Sequence, residues 1–170
     1  PEGMGISMDG GRPGWNDAMN GLPGLFGSGM AESIELKRML DFVLDLPAGE
    51  TRLPAELVHL MRELTAALKG EDLFLRWDSA NTALETYRAG LYAGLSGEYE
   101  TLGMDALRPH LTLYRDRVQE GIEKALDIGE GIMPTYFCYT AKTWEELLDD
   151  EGNTRLSVSG MPLVRVTSFE

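Results

Sequence analysis

The chain has 170 residues, 43% of them hydrophobic, with a formal net charge of −13 and one cysteine, Cys138. That length suits one domain or a piece of a larger one. The acidic balance, with no Lys/Arg cluster to relieve it, argues against nucleic-acid and anionic-membrane partners, because both need phosphate neutralisation. A lone cysteine forms no intramolecular disulfide, which removes the disulfide-stapled secreted class and favours the cytoplasm. The two histidines, His59 and His110, are far apart and form no Cys/His zinc pattern. No apolar run has the length of a membrane span. The chain starts at Pro1 and no signal-peptide pattern follows, so a cleaved or truncated chain is expected.

Residues 1–29 are rich in glycine and interrupted by Pro13 and Pro23. This is loop chemistry. Yet Trp15, Leu22, Leu25 and Phe26 are interleaved with the glycines. A flexible linker lacks such anchors. A structured, function-bearing loop is therefore expected here.

Helical periodicity follows. Ile34, Met39, Phe42, Val43 and Leu46 place a helix over Met30–Leu46, with Ser28 as its N-cap and Pro47 as its stop. Leu57, Leu60, Met61, Leu64 and Leu68 place a second over Leu53–Lys69, with Pro54 in the first helical position and Gly70 just past the end. A third is expected from Asp78 to Tyr92, with Ala80, Leu84, Tyr87 and Leu91 on one face. A fourth runs from about Asp105 to Asp127, with Pro109 near its start or kinking it.

After Gly129–Gly131 the texture changes. Ile132–Thr140 and Leu163–Phe169 are rich in β-branched and aromatic residues and read as strands, with the acidic run Glu145–Glu151 between them. The expectation is a mainly α chain. Residues 1–130 hold the Gly-rich loop and a helical segment, and residues 131–170 a short β-rich tail. The helix faces find too few partners, so exposed apolar surface, self-association or a need for further chain is expected.

The chemistry concentrates in one string, Gly10-Gly11-Arg12-Pro13-Gly14-Trp15-Asn16-Asp17-Ala18-Met19-Asn20-Gly21. An aromatic ring such as Trp15 can stack on the apolar face of a pyranose. Arg12, Asn16 and Asn20 can fix hydroxyl directions. A carboxyl such as Asp17 can protonate a glycosidic oxygen if burial beside an apolar ring raises its pKa. The bland alternative stands beside this one: Asn-Asp pairs in Gly/Pro-rich loops commonly serve as Asx turns or helix caps.

Gly14-Trp15-Asn16-Asp17-Ala18 resembles the Trp-Asn-Asp motif of (α/α)6-barrel glycosidases and phosphorylases. The cellobiose-phosphorylase group and the related glucosidase and trehalase groups carry that motif. The longer string through Phe26-Gly27-Ser28, then Glu32 and Glu35-Leu36-Lys37-Arg38, is similar to large bacterial cellobiose-phosphorylase-like proteins. So is Gly131-Ile132-Met133-Pro134-Thr135-Tyr136-Phe137. The residues around the core differ from those of the best-characterised phosphorylases, so sugar and cleavage mode do not carry over.

The resemblance implies a partial (α/α)6-barrel-type helical array and glycosidic cleavage with inversion. Asp17 is the implied general acid and an oligosaccharide or glycoside the implied substrate. It implies no cofactor, with inorganic phosphate as co-substrate in the phosphorylase case. An inverting hydrolase would need a second carboxylate about 6.5–9.5 Å from the acid, and the sequence offers no motif-matched one. Such a barrel uses twelve helices and about four are expected here, so the remainder of the chain or a homo-oligomer is the expected partner. A non-catalytic helical carbohydrate-binding or protein-interaction module is the alternative.

Other features have plainer readings. The run 21–29 lacks the Lys-Ser/Thr ending of a phosphate-binding loop. Tyr136, Phe137 and Tyr139 suit a strand core better than a sugar site. Cys138 reads as an inert thiol. The acidic run 145–151 lacks calcium-loop spacing and reads as a solvated face. His59 reads as structural.

Overall fold

The computed structural model describes residues 2–7 and 27–170, and half of these are helical. The order is β1 (Ile6–Ser7), β2 (Gly27–Gly29), α1 (Met30–Leu44), β3 (Glu50–Pro54), α2 (Ala55–Leu68), α3 (Leu73–Ala93), β4 (Tyr99–Gly103), α4 (Met104–Ile128), β5 (Tyr136–Cys138), β6 (Ala141–Glu146) and β7 (Val164–Phe169). Strands β1, β2 and β5 form one small sheet in the order β1-β2-β5, while β3 pairs with β4 and β6 with β7.

Two units can be distinguished. Glu2–Ile6 and Gly29–Tyr136 belong to the helical one, and Phe137–Glu170 to the other.

In the helical unit three strands run straight into helices, and the junctions repeat one hydrogen-bond device. The N–H of Ala55, first in α2, donates to Glu98 O at 3.0 Å, just before β4. The N–H of Met104, first in α4, donates to Gly49 O at 2.9 Å, just before β3. The N–H of Met30, first in α1, donates to Thr135 O at 3.0 Å, just before β5. A helix start leaves four N–H groups without intrahelical partners, and each junction satisfies one of them. The antiparallel β3–β4 register, from Glu50 opposite Gly103 to Pro54 opposite Tyr99, makes the α2 and α4 junctions reciprocal.

The core lies between α1, α2 and α4. Met30, Val58 and Ala125 are fully buried, with Leu44, Leu60, Met104, Leu107 and Ile122 close behind. Each large side chain contributes about 1.5–3 kcal/mol by leaving water. Helix α4 also closes the C-termini of two neighbours. The Arg108 guanidinium donates to Leu44 O at 2.5 Å, and Arg117 Nε to Leu68 O at 2.9 Å. Neither α1 nor α2 has a basic residue in its last turn, so these arginines supply the positive charge that helix C-termini favour.

A polar network crosses from α2 to α4. Thr65 Oγ1 lies 2.6 Å from His110 Nδ1 and 3.0 Å from Tyr114 Oη, and Tyr114 Oη donates to Met61 O at 2.5 Å. Burial pushes the Tyr114 phenol above its usual pKa, against the Thr65 hydrogen bond.

Several expectations are corrected. Strands are not confined to the tail: β3 and β4 lie inside the helical region. Leu53 fits the α2 stripe by spacing, which hid a strand ending at Pro54, and α2 starts at Ala55. Ser28 does not cap α1. It lies in β2, buried, and Gly29 is the N-cap without a side-chain cap bond. The third helix begins five residues early, at Leu73, because Asp72 caps it by accepting the Leu75 N–H at 2.8 Å. The strand expected over Ile132–Thr140 shrinks to Tyr136–Cys138. Glu145, Glu146, Asp149, Asp150 and Glu151 are exposed, in keeping with a solvated face, and the first two lie in β6. Pro109 sits in the second turn of α4, which continues through it.

The second unit is a hairpin of β6 and β7, with Trp144 opposite Val166 and Glu145 opposite Arg165. Isolated bridges join Leu148 to Thr154 and Leu156 to Pro162. No described helix is long and apolar enough to cross a membrane.

Candidate functional site

The string carrying the sugar chemistry falls outside the described residues, and with it Arg12, Trp15, Asn16, Asp17 and Asn20. The structure does describe the two stems of that string. On the near side, Gly3 and Met4 lie along α4. A Cβ on Gly121 would stand 2.1 Å from Gly3 O, so only glycine admits the contact. Met4 is 5% exposed. The Lys124 ammonium pairs with the Glu2 carboxylate and holds that carboxyl below its usual pKa. On the far side, Gly27–Gly29 form β2 in full burial and Met30 is tied to Thr135. Thr135 lies just before β5.

Within the helical unit a cleft of about 780 Å³ opens beside α2 and α3. Its walls include Glu56, His59, Glu63, Asp78, Thr82 and Tyr87. Glu56 is the ordered group. Its Oε1 accepts the Ser96 N–H at 2.7 Å. The Ser96 side chain and then the Ser96 backbone hold the Glu56 carboxyl below the usual carboxylate range. Glu56 is therefore an anion at neutral pH, fit to accept hydrogen bonds and unfit to donate a proton. Its Oε2 is buried without a hydrogen-bond partner. Sequence reasoning missed this group. A glutamate in the first turn of a helix is an ordinary dipole partner, and nothing in the spacing ties it to Ser96. His59, read as structural, is exposed on the wall of this cleft.

The remaining candidates are placed as follows. Tyr136 and Tyr139 are at the surface rather than in a core. Phe137 is half-buried. Tyr139 makes an edge contact with Phe169 at 6.3 Å. Cys138 is half-buried, and its Sγ donates to Tyr139 O at 3.3 Å. In the acidic run, Asp149 orders a turn by accepting the N–H groups of Glu151 at 3.0 Å and Asn153 at 2.8 Å. The Asn153 and Glu151 backbone bonds hold its carboxyl low. Among the described residues, no group of three or more His, Cys, Asp or Glu is arranged to hold a metal ion.

Compared with known families and with curated proteins, the chain matches no family model and no characterised protein.

Proposed function

We propose that the chain is a segment of a carbohydrate-active enzyme that cleaves a glycosidic bond with inversion, with Asp17 as the general acid. The observation that carries this reading is the Trp15-Asn16-Asp17 core inside the longer string Gly10–Ser28. In this reading Trp15 stacks on a pyranose and keeps water from the Asp17 carboxyl. Arg12, Asn16 and Asn20 hold sugar hydroxyls. The leaving oxygen takes its proton from Asp17. Either inorganic phosphate attacks the anomeric carbon, as in a phosphorylase, or a second carboxylate activates water, as in a hydrolase. No cofactor is needed, and the substrate is a neutral oligosaccharide or glycoside, compatible with an acidic protein.

The helices support the architecture. They are four in number among the described residues, and α2 and α3 join through a four-residue connection, as antiparallel neighbours in a helical array do. We propose that they form part of an (α/α)6-type barrel in a cytoplasmic protein. Helix α3 has no buried residue, and Phe74 and Trp77 are 66% and 58% exposed. Apolar faces of this kind require a cover, which further chain or a second copy would supply.

The same exposed face favours the alternative of a non-catalytic helical interaction or carbohydrate-binding module. Turnover by the Asp17→Asn variant, measured on substrates with poor and with good leaving groups, separates the two.

A further inference from the structure

Helices α2 and α4 are tied at their starts by the reciprocal β3–β4 junctions, and at the end of α2 by Arg117. Between those ties lies the network of Thr65, His110 and Tyr114. Thr65 is buried, and His110 and Tyr114 are half-buried. The Thr65 hydroxyl oxygen has three polar neighbours: Met61 O at 2.8 Å, His110 Nδ1 at 2.6 Å and Tyr114 Oη at 3.0 Å. A hydroxyl has one proton to give. Tyr114 Oη gives its own to Met61 O at 2.5 Å.

The proton count decides the direction of these bonds. Met61 O is also the acceptor that helical geometry gives to the Thr65 N–H. A carbonyl oxygen has two lone pairs, and the Thr65 N–H and the Tyr114 hydroxyl fill both. A Thr65 proton aimed at Met61 O would be a third for two places. A Thr65 proton aimed at His110 Nδ1 would leave the Thr65–Tyr114 contact without any. One order fills every remaining contact: His110 Nδ1–H to Thr65, Thr65 to Tyr114, Tyr114 to Met61 O. Polar groups left unfilled away from water are costly, which favours that order. The Thr65 bond also lowers the Tyr114 pKa against the effect of burial, as a bond accepted by the phenol oxygen does.

We propose that His110 is held as its Nδ1–H tautomer and heads a one-way hydrogen-bond chain that locks α4 onto α2. The lock has a polarity. It needs a donor at the Nδ1 position and fails when the ring carries its proton on Nε2. The hydrogen bond made by one ring nitrogen fixes the state of the other, so Nε2 is left as the bare, basic nitrogen of His110. The chain ends on a helix carbonyl whose lone pairs are both taken, so no proton passes beyond Met61. It is a latch rather than a relay.

The test uses the whole chain labelled with ¹⁵N in its histidine rings. There are two histidines, His59 and His110, and His59→Gln assigns the signals. Long-range proton–nitrogen correlation spectra, recorded well above the ordinary histidine pKa of about 6.5, show which ring nitrogen carries the proton. His110 is expected as the Nδ1–H form in roughly tenfold excess, the ratio that one ordinary hydrogen bond supports. His59, exposed on the cleft wall, is expected as the Nε2–H form that free imidazole favours.

Two variants then probe the cause. Thr65→Ser keeps the hydroxyl and should keep the Nδ1–H form. Thr65→Val is close to isosteric but has no hydroxyl, and should release His110 to the Nε2–H form. An Nε2–H ring at His110 in the wild type overturns the proposal, and that spectrum needs no variant to fold. So does an Nδ1–H excess that survives unchanged in Thr65→Val, because something other than Thr65 would then hold the ring.

Discussion

The Met30 amide donates to the Thr135 carbonyl across 3.0 Å, joining the start of α1 to the residue before β5. These residues are far apart in sequence, and the bond ties the first turn of α1 to the segment that leads into β5. The Met30 side chain is fully buried, so the junction combines a satisfied helix N–H with core packing.

The first prediction follows from that burial. Met30→Ala removes a thioether side chain from a packed site, which costs about 2–5 kcal/mol. Urea unfolding should show a lower midpoint with an unchanged slope. Met39→Ala serves as the control, because Met39 is 65% exposed on the same helix, and its effect should stay within about 0.5 kcal/mol. Equal effects of the two would contradict the placement of the core.

Helix α4 acts as a clamp on its neighbours through two arginines. Replacing Arg108 by Met keeps most of the apolar stem but removes the donors to Leu44 O and Leu46 O. Hydrogen bonds from charged groups contribute about 1.5–3 kcal/mol. Arg117→Met should show the same effect at the end of α2. Hydrogen exchange should localise each loss, to the last turn of α1 for Arg108 and of α2 for Arg117. Loss spread evenly over all helices would contradict the capping role.

The α1 and α4 boundaries were legible within two residues, because their apolar positions repeat and glycine or proline punctuates their ends. What escaped was the junctions. Pro54 and Gly103 end strands rather than simply opening helices, and Leu53 satisfies both periods at once. Reciprocal hydrogen bonds between residues about fifty positions apart leave no periodic trace. The Ser96–Glu56 contact and the Thr65–His110–Tyr114 network were invisible for the same reason: each is a tertiary pairing of residue types common on any helix. The motif string, an unusual combination of Trp, Asn and Asp among glycines, lies outside the described residues.

A third prediction concerns acid. Asp149 has its pKa lowered by the Asn153 and Glu151 N–H groups. A carboxyl depressed in the folded state contributes stability above its unfolded pKa, about 3.9, and loses it as pH falls through the lower folded value. Glu2, held low by Lys124, and Glu56, held low by Ser96, act in the same direction. Thermal midpoints should therefore fall as pH drops below about 4. Asp149→Asn keeps an acceptor but carries no titrating charge, so its midpoint should fall less over the same range. An identical acid dependence in the variant would contradict the role of Asp149.

The proposed function makes Asp17 the proton donor. In the intact enzyme Asp17→Asn should preserve the fold, since the amide is nearly isosteric, and should lower turnover of disaccharides by about 10²–10⁴-fold. The loss should shrink for para-nitrophenyl glycosides and glycosyl fluorides, whose leaving groups depart without protonation. Comparing kcat/KM of wild type and Asp17→Asn across that leaving-group series is the most direct test. A loss that vanishes as the leaving group improves is the predicted result; a loss equal for every substrate, or none at all, would leave Asp17 a turn former and contradict the account.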